Sequence, residues 1–166
     1  NDTLYVFGGR NESTFFKDGF KVKDGETTPT VLKDLPLELY GASGFVYDGN
    51  GYVAGGFISS GIPNKTIYKY NVSSNTWSIV GYLKTGKGFM GTYVSASEAV
   101  YFFGGALSSD SSTQTDEIEC FDFLTNKTSV LDITLNSAKE SVKVALYGSA
   151  LYIIGGYNVN DGYSDG

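Results

Sequence analysis

The segment LYVFGG at residues 4–9 returns as GYVAGG (51–56), VYFFGG (100–105) and LYIIGG (151–156). The paired glycines begin at Gly8, Gly55, Gly104 and Gly155, spaced by 47, 49 and 51 residues. Self-similarity at such a period is the mark of an architecture built from stacked units, each too small to bury its own apolar surface. Two further phrases keep step with the glycine pairs. IYKYNVSSNTWSIV (67–80) aligns with IECFDFLTNKTSVL (118–131), placing Tyr70 opposite Phe121 and Asn75 opposite Asn126. An apolar run also precedes each later glycine pair: ASGFVY (42–47), FMGTYV (89–94) and VKVALY (142–147). Short turns such as Asp48-Gly49-Asn50 join these runs to the glycine strands, which is hairpin chemistry.

Each cycle therefore reads as four strands in up-and-down order, and the second cycle places them at 42–47, 51–55, 66–71 and 76–80. No stretch carries a helical period over 11 or more residues. The 22 Gly against 3 Pro, and an aromatic share of 15%, suit short strands and tight turns. The predicted fold class is all-β, with four-stranded antiparallel units.

These residues resemble the kelch family of β-propellers. The resemblance rests on the apolar strands ending in Gly-Gly and on Tyr70 followed, after six residues, by Trp77. That spacing is full only in the second cycle: the third keeps Phe121 but has Thr128 at the Trp position, and FKVKDGETTPTVLK (20–33) is more degenerate. The resemblance implies a partial blade at 1–41 (strands two to four), blades at 42–88 and 89–141, and a partial blade at 142–166 (strands one and two and the following loop). It also implies that Tyr70, Trp77 and the glycine pairs are scaffold, the rings buried between blades with their polar tips partnered. The chain opens and closes on the same strand type and begins at Asn1 without Met or a signal segment. It is read as a processed, truncated or internal piece, and the ring as incomplete.

The up-and-down order gathers the loops at 10–19, 57–66, 106–115 and 157–166 on one end, together with the links near 34–41, 81–88 and 134–141. Kelch-like proteins usually bind partners with this loop-rich face. A net charge of −6 with a single Arg, Arg10, argues against nucleic acid and anionic membranes, which need a basic patch. No apolar run reaches the roughly 18 residues of a spanning helix, so no membrane insertion is expected.

Catalysis has little material. The chain has no His, which removes the commonest general base and most transition-metal sites. No catalytic residue, cofactor or metal site is predicted. The acidic group Asp116, Glu117 and Glu119 and the cluster Asn158, Asn160 and Asp161 lack calcium-loop spacing and are read as solvated loops and strand edges. Cys120 is read as a small buried side chain, with an intermolecular disulfide as the alternative.

Five Asn-x-Ser/Thr tripeptides stand at Asn1, Asn11, Asn64, Asn71 and Asn126, candidate N-glycosylation sites in turns, loops or strand ends. They point to a secreted glycoprotein without catalytic activity. Its expected partners are a protein or glycan ligand, or copies of itself in an extracellular assembly. Two alternatives stay open: an intracellular kelch adaptor of a ubiquitin ligase, and an oxidase resembling galactose oxidase whose catalytic residues lie outside this stretch.

Overall fold

The structure, a computed structural model, describes residues 2–163. Among them there are strands and no helix. The first sheet is β1 (Thr3–Arg10), β2 (Phe15–Lys23) and β3 (Thr30–Leu32), in that order. The second is a four-stranded meander of β4 (Ser43–Tyr47), β5 (Asn50–Ala54), β6 (Thr66–Asn71) and β7 (Thr76–Tyr82). The third repeats it with β8 (Gly91–Ser95), β9 (Ala99–Phe103), β10 (Glu117–Asp122) and β11 (Lys127–Thr134). The fourth holds β12 (Lys143–Tyr147) and β13 (Ala150–Ile154). All neighbouring strands within these sheets are antiparallel.

The sheets lie side by side like a fan. The first strands β4, β8 and β12 touch in succession, and the outer strands β7 and β11 touch as well. The fan does not close into a ring, as the duplicated strand type implies. β1 is paired only with β2, and β13 only with β12, among the described residues. Beside the free edge of β1 a groove of about 710 Å³ runs along Tyr5, Phe7, Phe45, Tyr52 and Trp77. The sheet order leaves it where a first strand would complete that sheet.

Apolar surface is buried chiefly between sheets. Tyr52, Ala54, Ile67, Met90, Val100, Phe102 and Phe121 form one cluster, spanning the second and third sheets. Leu35 and Leu39 pack with Tyr68, Phe7 and Trp77 between the first and second. Phe103, Ile118, Leu135 and Val142 do the same between the third and fourth. Each link between sheets opens on a buried leucine, Leu35, Leu83 or Leu135, and the first link also buries Leu39.

The glycine pairs are used as the sequence implies. All eight residues have positive φ, with Gly104 at +59° and Gly105 at +117°. The second glycine of the first three pairs donates its N–H to the link that follows: Gly9 to Leu39 O, Gly56 to Lys87 O and Gly105 to Lys139 O, each at 2.9 Å. A Cβ on Gly104 would collide with Lys139 O, so close approach of link and strand end requires glycine here.

Tyr70 and Trp77 face each other across β6 and β7 and pack on Phe7 of the first sheet at 4.9 and 4.8 Å. The Tyr70 hydroxyl donates to Asn75 Oδ1 at 2.7 Å, and Trp77 Nε1–H donates to Lys33 O at 3.1 Å. In the third sheet Phe121 faces Thr128, whose hydroxyl donates to Tyr82 O at 2.7 Å. Thr128 thus keeps the one polar task of the tryptophan it replaces, a tie to the backbone where the preceding sheet's last strand ends. Asn75 and Asn126, aligned by sequence, both take left-handed φ, 53° and 54°.

Two sequence expectations need correction. Glu119 is not a solvated edge: its side chain is wholly buried, 3.0 Å from the equally buried Lys87 ammonium. A bulge between Glu117 and Glu119 and docking of the preceding link turn it inward. The segment after β13 is not only a loop. It forms a small hairpin of β14 (Tyr157–Asn158) and β15 (Gly162–Tyr163), closed by Asn158 Oδ1 accepting from Asn160 N at 2.7 Å and by Gly162 at φ +75°. Residues 164–166 of that loop lie outside the described residues.

Candidate functional site

The up-and-down order places the links and the loops between second and third strands on one end, and side chains fasten them into a continuous surface. The polyserine stretch after Ala106 is ordered by its own hydroxyls. Ser108 Oγ accepts from Thr113 N at 3.0 Å and lies 3.0 Å from Ser112 Oγ. Asp110 accepts from Ser112 N at 3.1 Å. The hydroxyl and amide of Ser112 hold the Asp110 carboxyl below the usual carboxylate range.

This loop then reaches the fourth sheet. Ser111, at φ 58°, donates its hydroxyl to Glu140 Oε1 at 2.8 Å. Gln114 receives Val159 N on its oxygen at 3.1 Å and donates to Ser111 O. Asn158 Nδ2 donates to Ala138 O. Glu140 is buried, and its Oε2 has no hydrogen-bond partner among the described residues. Serine hydroxyls, two amide side chains and a carboxylate thus gather where three segments meet. Their mutual hydrogen bonds fasten the three segments to one another.

On the same end, toward the first sheet, aromatic rings are buried beneath the loops. Arg10 lies over the Tyr40 ring at 4.7 Å, and Tyr40 packs on Phe15 and Phe57 at 5.3 and 5.6 Å. Sequence reasoning put these loops together as a class but missed Tyr40 and Glu140 individually. They occupy equivalent positions in the first and third links, where Tyr40 bridges Phe57 and Glu140 bridges Tyr157, as Gly88 bridges Ala106 in the link between. Aligning the links by Leu35, Leu83 and Leu135 would have paired them.

Because Asp110 titrates below its ordinary value, its bonds are intact above the ordinary carboxylate range and are lost as pH falls through the lowered value. The expected result is that limited proteolysis cuts the 108–113 loop faster in acid than at neutral pH, and that Asp110→Asn flattens this dependence.

The sequon asparagines divide by what their acceptor nitrogens do. Asn11 is exposed, and its Oδ1 takes Ser13 N and Thr14 N at 3.0 and 2.7 Å. Asn71 is half-buried, with Oδ1 capping the β6–β7 turn through Ser74 N at 2.9 Å. Asn126 is exposed in the β10–β11 turn. In these three, Nδ2 makes no hydrogen bond among the described residues. Asn64 differs: half-buried, its Nδ2 donates to Gly55 O at 2.9 Å and to Thr66 O at 3.4 Å. Asn1 lies outside the described residues.

The remaining candidates do not converge. Asp116 and Glu117 are half-buried, Glu119 is committed to Lys87, and Asn160 and Asp161 are exposed in a turn. No group of three or more His, Cys, Asp or Glu suited to a metal ion gathers among the described residues. Cys120 is half-buried and unpaired, and burial pushes its thiol pKa up.

Comparison with known proteins returns a match to the Kelch motif over residues 39–84, the stretch that holds Gly55-Gly56, Tyr70 and Trp77. Residues 39–84 thus carry a kelch motif, and the neighbouring sheets repeat that blade's layout. The solved structure of YjhT superimposes on these sheets with a TM-score of 0.78 at 20% identity, covering 94% of this chain and 56% of that one. The chain thus spans little more than half the length of YjhT. No curated protein matches it.

Proposed function

We propose that this chain is part of a secreted, N-glycosylated kelch propeller. It binds a protein or a glycan through its loop-rich end and performs no catalysis of its own. The observation that carries the reading is the surface built by Ser111, Gln114, Glu140 and Asn158, in which side chains lock three separate segments together. A preordered polar surface loses less entropy on binding than free loops would.

The secretory part is tested by peptide mass spectrometry of native protein before and after peptide N-glycosidase. Glycans are expected at Asn11, Asn71 and Asn126, whose acceptor nitrogens are free, and not at Asn64. Bare asparagine at all of them would overturn the glycoprotein reading. The binding part is tested on a glycan microarray and a panel of extracellular-matrix proteins, with Glu140→Ala beside the wild type. A ligand whose binding survives this substitution unchanged would remove the loop-end assignment.

A further inference from the structure

Among the described residues two buried side-chain atoms make no hydrogen bond, Lys87 Nζ and Glu140 Oε2. Lys87 Nζ lies 3.0 Å from the Glu119 carboxylate, so its charge is met. Glu140 has no such counterpart. It is 6% exposed and forms no ion pair among the described residues. Its Oε1 accepts from the Ser111 hydroxyl at 2.8 Å, while its Oε2 is enclosed with nothing donating to it. Because the molecule itself covers that atom, its lack of a partner does not arise from an open sheet edge. The link around it is docked on both sides: Glu140 and Tyr157 exchange backbone hydrogen bonds at 2.9 Å, and Ser141 N donates to Phe89 O at 2.7 Å.

A buried carboxylate with one donor and no counter-charge is strongly unfavourable. Protonation does not settle the matter, since a proton on Oε2 would replace an unpaired acceptor with an unpaired donor. The groups that meet Glu140 offer oxygen. Ser111 Oγ gives its hydrogen to the carboxylate, and nothing among the described residues donates to it in return. Ser111 O and Gln114 Oε1 each accept one hydrogen bond, from Gln114 Nε2 and Val159 N, and a carbonyl oxygen has a second lone pair. All three oxygens belong either to Ser111, which touches the carboxylate, or to Gln114, which touches Ser111. Gln114 is itself buried, and Ser111 is held at φ 58°.

We propose that Glu140 Oε2 binds a monovalent alkali cation, with Ser111 and Gln114 contributing neutral oxygens and water completing the shell. Charge decides the class. The set carries one negative charge, which one positive charge balances, whereas calcium would bury a surplus. Oxygen donors also suit hard cations, while transition metals favour the imidazole and thiolate ligands that this set lacks. No group of three or more His, Cys, Asp or Glu gathers among the described residues to hold a higher charge. The ion would fasten the 108–115 loop of the third sheet to the link that enters the fourth. This role stands apart from whatever ligand the loop-rich end takes.

The test follows thermal unfolding of the 166-residue chain at neutral pH in sodium, potassium or choline chloride. Equal concentrations keep screening the same in all three, and choline is too large to reach an enclosed oxygen. Sodium or potassium is expected to raise the melting temperature by about 4 °C over choline, the better-fitting ion giving the larger shift. Glu140→Gln keeps the shape and removes the charge, so it should melt alike in the three salts and no lower than wild type in choline. The sodium NMR line should broaden on adding wild type and stay sharp with Glu140→Gln. Ser111→Ala keeps the charge and removes one oxygen; it should retain a smaller shift, and it serves if Glu140→Gln does not fold. Equal melting of the wild type in all three salts, a shift that survives Glu140→Gln, or stabilisation by calcium that alkali ions do not give would overturn the proposal.

Discussion

Gly104→Ala is expected to unfold a large fraction of the molecule at room temperature or to lower its stability by about 3–4 kcal/mol. Two effects add. Left-handed φ costs an alanine roughly 1–2 kcal/mol, and Gly104 sits at +59°. The new Cβ would also strike Lys139 O, the carbonyl that receives Gly105 N–H, so the link to the fourth sheet must move and that hydrogen bond must stretch. Gly49→Ala separates the two effects. Gly49 has φ +68°, but nothing lies within 4 Å of a Cβ built there, so only the conformational part applies. Urea unfolding should show Gly104→Ala shifted well beyond Gly49→Ala. Equal shifts would mean that the contact between link and strand end does not hold the blades together.

Glu119→Ala is expected to cost about 3–5 kcal/mol, the range for stranding one member of a buried ion pair. The Lys87 ammonium would lose its counter-charge, and Lys84 N and Thr85 N would lose their acceptor. The protein itself offers the rescue, since Leu39 and Tyr68 occupy the corresponding positions one sheet earlier. The double variant Lys87→Leu with Glu119→Tyr should recover most of the loss, and adding Lys84→Pro should recover more by deleting an unsatisfied amide as Pro36 does. Denaturant midpoints of the single, double and triple variants measure this directly. A double variant no better than Glu119→Ala would show that the two positions are not interchangeable packing solutions.

The fold was legible because the repeated phrases carry the physics that shapes it. Gly55-Gly56 announces positive φ, Asp48-Gly49-Asn50 a hairpin, and Tyr70 with Trp77 a pair of rings that must lie between sheets. The strands expected at 42–47, 51–55, 66–71 and 76–80 stand within two residues of β4 to β7. What eluded the sequence was tertiary. Glu119 lies among Asp116 and Glu117 and reads as one more surface acid, since its partner Lys87 is 32 positions away and belongs to the link. Thr128 looks like a lost tryptophan, because a hydroxyl and an indole share a donor and little else. Asn64 is a sequon like Asn11, and only the contact of its Nδ2 with Gly55 O sets it apart. The loop-end surface was foreseen as a place but not as residues, because Ser111 and Glu140 meet only when two sheets pack.

The first link meets the third strand with Leu39 against Tyr68, and the second with Lys87 against Glu119. That difference bears on how such a chain finds its own order. Blades of nearly identical shape invite mispairing while the chain folds, a hazard of repeat proteins. A sheet bearing Glu119 that settled behind the Pro36–Leu39 link would bury a carboxylate facing an imino nitrogen and a leucine. A sheet bearing Tyr68 behind Lys87 would bury a bare ammonium. Either mismatch carries a penalty of several kcal/mol that the correct neighbour avoids. The apolar lock and the ionic lock therefore act as addresses, giving each blade one neighbour it can accept.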